Sequence, residues 1–296
     1  MRAAVAFKRS GLGHPIVVGR PEQVSEVLES AGMPEAISEI EVINAATIPD
    51  LSDYTRTLYA RLQRRGMDQR DCHILASRDR HVFSSLMVAR GVADGMVTGA
   101  TRKAAHVLSL INHVFDASPG DGAVGISAVL IRGRIVLIAD TLVHEWPEKE
   151  DLADIAIRAA SVAESLGLEP RVAFASFSNF GYPVSERAVK MSHATQVLDE
   201  RGVNFEYDGE MTADVALNPE IMLQYPFCRL TGAANILVVP ARHSASISVK
   251  LLQELGGATV IGPILSGIDK PVQLCSTSST VNDILNMAVM AACKVG

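Results

Sequence analysis

The stretch Asp94-Gly95-Met96-Val97-Thr98-Gly99 reads as a strand that ends in a glycine turn, and a helix from Arg102 to Asn112 follows it. Strand, turn and helix in that order bring the chain back to start another strand in the same direction, so the unit predicts a parallel sheet. The alternation continues on both sides. Upstream, Pro15-Ile16-Val17-Val18-Gly19 predicts a strand before a helix from Pro21 to about Ser30. Ile40-Glu41-Val42-Ile43-Asn44 predicts another, before a helix that carries Tyr54, Leu58 and Leu62 at i, i+4 and i+8. Ser84 to Val92 is the helix that leads into the quoted strand.

Downstream, Asp116-Ala117-Ser118-Pro119-Gly120-Asp121-Gly122 consists of loop formers and marks a domain boundary. Two strand-like runs, Ala123 to Ile131 and Ile135 to Ala139, then meet at Gly133 in a hairpin. Helices are predicted from Leu152 to Leu166, Ser185 to Glu200 and Ala245 to Leu255, and strands from Arg171 to Ser176, Ile236 to Pro240 and Ala258 to Gly262. The expected architecture is two three-layer α/β domains with mainly parallel sheets and a cleft between them. Domain I is discontinuous, over 1–119 plus 265–296, and domain II covers 120–264.

Composition agrees with this class. A chain that is 48% hydrophobic but only 5% aromatic has an aliphatic core, as parallel sheets buried on both faces require. A net charge of −6 argues against nucleic acid as a partner. Cys72, Cys228, Cys275 and Cys293 show neither C-x-x-C nor metal spacing, which fits a reducing, cytoplasmic setting and no metal in this chain. No apolar run reaches the roughly 18 residues of a membrane span. Met1 to Arg9 reads as a helix already under way, without a capping residue, a start compatible with a chain that continues upstream and equally with a frayed helix end.

Open parallel sheets bind ligands beyond the carboxyl ends of their strands. That rule selects Thr98-Gly99-Ala100, Ser176 to Gly181, Asp208-Gly209-Glu210, Arg242-His243-Ser244 and Gly262 to Asp283. In the last segment two glycines and two prolines predict a tight loop over Gly262 to Pro271, before Ser276, Thr277 and Asp283 at the start of an apolar helix. Backbone N–H groups there favour anions. Asp208 and Glu210 read as solvated loop charges ahead of a paired-carboxylate site, and His243 as a loop histidine ahead of a base or a phosphate clamp. Met287 and Met290 read as core rather than as a contact surface. No G-x-G-x-x-G or P-loop is present, so nothing points to a nucleotide cofactor bound by this chain.

Asp94 to Ala100, Asp208-Gly209-Glu210-Met211-Thr212-Ala213-Asp214, Ala234-Asn235-Ile236-Leu237-Val238-Val239-Pro240 and Gly262 to Pro271 resemble, in order, the landmarks of the phosphate acetyltransferase/butyryltransferase family. The resemblance implies two α/β domains, an acyl-CoA cleft between them, dimers, and acetyl transfer between coenzyme A and phosphate. Active members carry Leu-Ser-Arg-Gly with an aspartate seven residues after the serine. Serine and arginine bind acetyl phosphate, and the aspartate accepts the thiol proton. Ser276 and Asp283 fit, but Thr277 stands in place of the arginine and Ser278 in place of the glycine. Ser109 falls near the register of a second family arginine.

Ala241-Arg242-His243-Ser244-Ala245-Ser246-Ile247 and Leu251 to Ile261 more closely resemble the C-terminal phosphotransacetylase-like domain of bacterial hybrid NADP-dependent malic enzymes. That resemblance implies a domain that senses acetyl-CoA and builds a homodimer or higher oligomer. Malate decarboxylation, NADP and a divalent metal then belong to an N-terminal domain in cis, outside this chain. No catalytic residue is expected; Ser276, Thr277 and Asp283 are remnants. Thr98, Gly99, Arg242, His243, Ser244, Gly262, Pro263, Ser276, Thr277 and Asp283 are the expected acetyl-CoA contacts. The alternatives are an active phosphate acetyltransferase, in which Arg242 or another cation replaces the arginine, and an oligomerisation module without ligand.

Overall fold

A computed structural model describes residues 1–116 and 122–293; most of the loop expected at Asp116 to Gly122, with the boundary at 119/120, lies outside them. The chain divides into two compact units, one of residues up to Ala117 together with those from Ile268, the other from Ser118 to Gly267.

The first unit begins with α1 (Arg2–Arg9), β1 (Ile16–Val18), α2 (Pro21–Ser30), β2 (Glu41–Ile43), α3 (Ser52–Leu62), α4 (Gln69–Arg78), α5 (Arg80–Ala89), β3 (Met96–Gly99) and α6 (Ala104–Ile111). Pro21 sits at the first position of α2, where its missing N–H costs nothing, and Val24 and Leu28 bury one face of that helix. Asp79 closes α4 and opens α5, its carboxylate accepting the N–H groups of His81 and Val82. The helix expected from Ser84 therefore begins four residues earlier, at Arg80.

The second unit follows with β4 (Val124–Ile131), β5 (Arg134–Ala139), α7 (Lys149–Ser165), β6 (Arg171–Ala175), α8 (Glu186–Arg201), β7 (Glu206–Met211), α9 (Ala213–Leu217), α10 (Pro219–Met222), β8 (Ile236–Val238), α11 (Arg242–Glu254) and β9 (Thr259–Ser266). The chain then returns to the first unit as β10 (Val272–Cys275) and α12 (Val281–Ala292). Arg132 and Gly133 both have positive φ, so β4 and β5 join through a two-residue turn whose twist suits a hairpin.

Six strands of the second unit form one sheet in the order β7-β6-β8-β5-β4-β9. β7, β6, β8 and β5 are mutually parallel, while β4 is antiparallel to both β5 and β9. Alternate residues cover its two faces. Ile138, Ala175 and Val239 pack under α11, and Val136, Ala173 and Leu237 under α9. Leu137, Phe174, Ile236 and Val238 point the other way and are also buried, on the side of α7 and α8. Outgoing connections from the neighbours β6 and β8 thus run to opposite faces, which makes their carboxyl ends a topological switch point. In the first unit β1 pairs parallel with β2, and β3 pairs parallel with β10.

Two expectations are corrected here. Gly262 and Pro263 do not form a tight loop; they lie inside β9, where the register against β4 shifts between Ile126 and Ala128. β9 is an edge strand, and a proline without an N–H is tolerated at an edge irregularity. Gly262 has φ 137°, and a Cβ there would stand 2.9 Å from the Ile126 carbonyl oxygen, so the close approach of β4 requires glycine. Likewise Asp208 and Glu210 are not solvated; both are buried in β7.

Candidate functional site

Each unit gathers polar groups at strand carboxyl ends. In the first, β3 and β10 end side by side, with Thr98 opposite Leu274 and Gly99 opposite Cys275. Gly99 has φ 105°, and a Cβ would come within 2.1 Å of the Cys275 carbonyl oxygen, so only glycine lets the strands close. Thr98 Oγ1 lies 2.6 Å from Nδ1 of His81 on α5. That residue is 2% exposed, and its Nε2 has no hydrogen-bond partner among the described residues. Burial, the largest influence, pushes His81 below its ordinary value, so the ring is neutral near pH 7.

Ser276, Thr277 and Asp283 follow β10. Ser276 Oγ accepts the Ser278 N–H at 3.1 Å and pairs with the Ser278 hydroxyl at 2.9 Å. Thr277 is exposed. The Asp283 carboxylate accepts the Thr280 N–H at 2.7 Å, while Thr280 Oγ1 accepts the Asp283 N–H at 3.2 Å, forming a capping box that starts α12. Burial and the Asp283 charge push the Cys275 thiol up to about 12, which leaves it protonated and unreactive at neutral pH. Arg102, three residues past Gly99, lies 3.7 Å from Asp79 and donates to His106 Nε2 at 2.9 Å. Ser109 is exposed on α6, its hydroxyl donating to the His106 carbonyl.

In the second unit β5 stops at Ala139, and the next residue, Asp140, is 2% exposed. Its carboxylate accepts the backbone N–H groups of Gly125 at 2.9 Å, Leu142 at 2.7 Å, Val143 at 3.1 Å and His144 at 2.8 Å. Nδ1 of His144 adds a fifth bond at 2.7 Å. Burial pushes the Asp140 carboxyl up, but the His144 ring and the backbone donors outweigh it and hold the group below its ordinary value. The hydrogen bond from Asp140 raises His144 in turn, against the opposing effect of burial. An ionised carboxylate thus fixes a ring that carries positive charge more readily than a free histidine.

Arg242 opens α11 beside this pair. Its N–H donates to the His144 carbonyl at 3.0 Å, its Nη1 donates to the Leu142 carbonyl at 3.3 Å, and Nη2 lies 3.6 Å from Glu145. His243 is exposed and Ser244 half-buried in the first helical turn. The expected loop histidine is therefore helical, because α11 begins at Arg242 rather than Ala245. Ser178 donates to Glu210 at 2.9 Å, as does the Gly181 N–H at 2.8 Å, so the segment after β6 is fastened to β7 by a buried carboxylate.

Within the first unit, then, Thr98, Gly99, Ser276, Thr277 and Asp283 lie at the ends of two paired strands and the start of the helix after them. Arg242, His243 and Ser244 cluster in the second unit, while Gly262 and Pro263 lie within β9. Sequence reasoning passed over His81, Arg102, Asp140 and His144. The last pair carried one signal, an aspartate directly after a strand with a histidine four residues on. Among the described residues no group of three or more His, Cys, Asp or Glu is arranged to hold a metal ion, and no helix is long and apolar enough to cross a membrane.

A family profile for phosphate acetyl/butaryl transferases matches residues 1–292. NADP-dependent malic enzyme of Rhizobium meliloti is 50% identical over 296 residues, which is 100% of this chain and 39% of that protein. Phosphate acetyltransferase of Bacillus subtilis is 27% identical over 283 residues, 95% of this chain and 86% of the relative. Among solved structures, a phosphotransacetylase from Streptococcus pyogenes matches with a TM-score of 0.91 at 29% identity, covering 99% of this chain and 89% of that one. The chain spans about 39% of the length of the malic enzyme it matches.

Proposed function

The chain belongs to the phosphate acetyl/butaryl transferase family, and we propose that within it this chain is an acetyl-CoA-binding regulatory and oligomerisation domain that has kept the fold and lost the catalysis. One observation carries the reading. Thr277 stands exposed where a guanidinium is expected, between a serine engaged in a local turn and an aspartate engaged in a helix cap. A threonine hydroxyl offers one donor and no charge, whereas a phosphoryl group in transfer needs several charge-assisted donors. The 39% coverage of the malic enzyme supports a partner domain in cis, which would supply malate decarboxylation together with NADP and a divalent metal. A homodimer or larger assembly in the cytoplasm belongs to the same proposal.

Acetyl-CoA at 100 times its dissociation constant is expected to stabilise the chain by about 2.7 kcal/mol. An unmoved thermal midpoint at millimolar acetyl-CoA would remove the regulatory reading. In an assay of acetyl phosphate with coenzyme A the chain is expected to be silent, and Thr277→Arg to raise turnover by about two to three orders of magnitude, the reverse of deleting one oxyanion donor. The second reading, an active phosphate acetyltransferase, rests on Arg102, a cation already present beside the β3 end. Turnover in the unaltered chain that disappears in Asp283→Ala would establish it instead.

A further inference from the structure

A polar concavity lies in the first unit, on residues that no part of the proposed function uses. Arg61 and Leu62 at the end of α3, Arg65 just beyond it, and His113 and Asp116 after α6 line a pocket of about 170 Å³. A water molecule takes about 30 Å³ in the liquid, so the pocket has room for a small hydrated anion. Leu62 is buried and floors it. The Arg61 guanidinium holds Asp116 with two parallel bonds, of 3.0 and 2.6 Å, and its Nε donates to the His113 carbonyl at 3.3 Å. The hydrogen bond from Arg61, with a further contribution from the charge of Arg65, keeps Asp116 below the ordinary carboxylate value.

Two features are left over once Asp116 is seated. Arg65 makes no hydrogen bond or ion pair among the described residues, although it lines the same pocket. His113 Nδ1 is buried without a hydrogen-bond partner among the described residues, an arrangement that costs free energy. Two guanidinium groups against one carboxylate leave the lining with a net positive charge. The internal carboxylate occupies one arginine in the two-pronged manner that guanidinium offers to any oxyanion. A tetrahedral oxyanion has enough oxygens to bridge both arginines, which a single side-chain carboxylate on Arg61 does not do.

We propose that the Arg61, Arg65 and His113 pocket is a binding site for inorganic phosphate, with Asp116 as an internal competitor for Arg61. Asp116 weakens phosphate binding by repulsion and by holding the guanidinium that phosphate needs. The site is separate from the strand-end groups assigned to acetyl-CoA, and it stands or falls independently of that assignment.

The test titrates the full chain with inorganic phosphate at constant ionic strength, following the His113 ring signals by NMR and the heat of binding by calorimetry. A saturable response is expected, at least tenfold weaker in Arg65→Gln and several-fold tighter in Asp116→Asn. Both residues are exposed, so both variants should fold. A response that chloride reproduces at equal ionic strength overturns the proposal, as does an affinity unchanged in either variant. Because inorganic phosphate is the only probe, a chain that binds phosphate here but ignores acetyl-CoA would refute the proposed function and leave this site intact.

Discussion

The two strand-end regions solve the same topological problem with opposite materials. At the ends of β3 and β10 the polar groups are mostly small, exposed and bonded to their own neighbours: Ser276 to Ser278, Thr280 to Asp283. At the end of β5 a buried charge, Asp140, gathers donors from β4, from the segment that follows β5 and from an imidazole, and the His144 carbonyl in turn fixes the start of α11. Local, solvated hydrogen bonds contribute little each and can be changed singly; a buried charge network must be kept whole. The first region therefore has the chemistry of a site free to drift in function. The second has that of a scaffold on which the fold depends.

Removing Asp140 should break that contrast most severely. Asp140→Ala leaves four backbone N–H groups and an imidazole without their acceptor in a closed setting, and we expect a loss of about 3–5 kcal/mol by chemical denaturation. A loss below 1 kcal/mol would mean that water fills the gap and that the network is not structural. His144→Ala should cost less, about 1.5–3 kcal/mol, since it removes one charge-assisted bond from a partly exposed ring.

His144 also sets a pH signature. Its folded pKa is raised, so the pair contributes fully below the ordinary histidine value and loses that contribution as pH rises through the folded value. Asp140 is depressed, so its contribution is present above the ordinary aspartate value and fades as pH falls through the lower folded value. Stability should accordingly decline in the natural chain as pH rises from the ordinary histidine value through the raised folded one, and that decline should flatten in His144→Gln. An identical profile in the two proteins would remove the pair as its cause.

What the sequence disclosed and what it hid follow the same division. Alternating runs of Val, Ile, Leu and Ala announced most strands and helices, and Pro21 and Gly133 fell where a helix start and a hairpin turn need them. Five elements, α4, β7, α9, α10 and β10, went unread, two of them for plain physical reasons. α4 buries only the small side chains of Cys72 and Ala76, which leave little apolar period. β10 is four residues long and sits between turn formers, so its burial against β3 is a tertiary fact. Charge was the harder matter. Asp140, Asp208 and Glu210 look like loop carboxylates in one dimension, because nothing local records the backbone N–H groups that folding aims at them. Ser276, Thr277 and Asp283 were legible because their bonds lie within a few residues.

The smallest expected effect tests the other half of the contrast. Thr280 caps α12 from an exposed position, accepting the Asp283 N–H, and α12 buries Met287 and Ala291 as part of the first unit's core. Thr280→Ala should cost about 1 kcal/mol, the usual worth of such a cap, while Thr280→Ser should cost almost nothing, since the accepting oxygen remains. The substitution also takes away one half of the capping box, so the Asp283 side chain should gain freedom. If Asp283 retains any role toward a thiol, that freedom should alter acetyl-CoA affinity or turnover by more than the stability change implies. Should Thr280→Ala instead cost as much as Asp140→Ala, the strand-end region of the first unit would be as tightly coupled as the second, and its capacity to lose Thr277's expected arginine without harm to the fold would need another explanation.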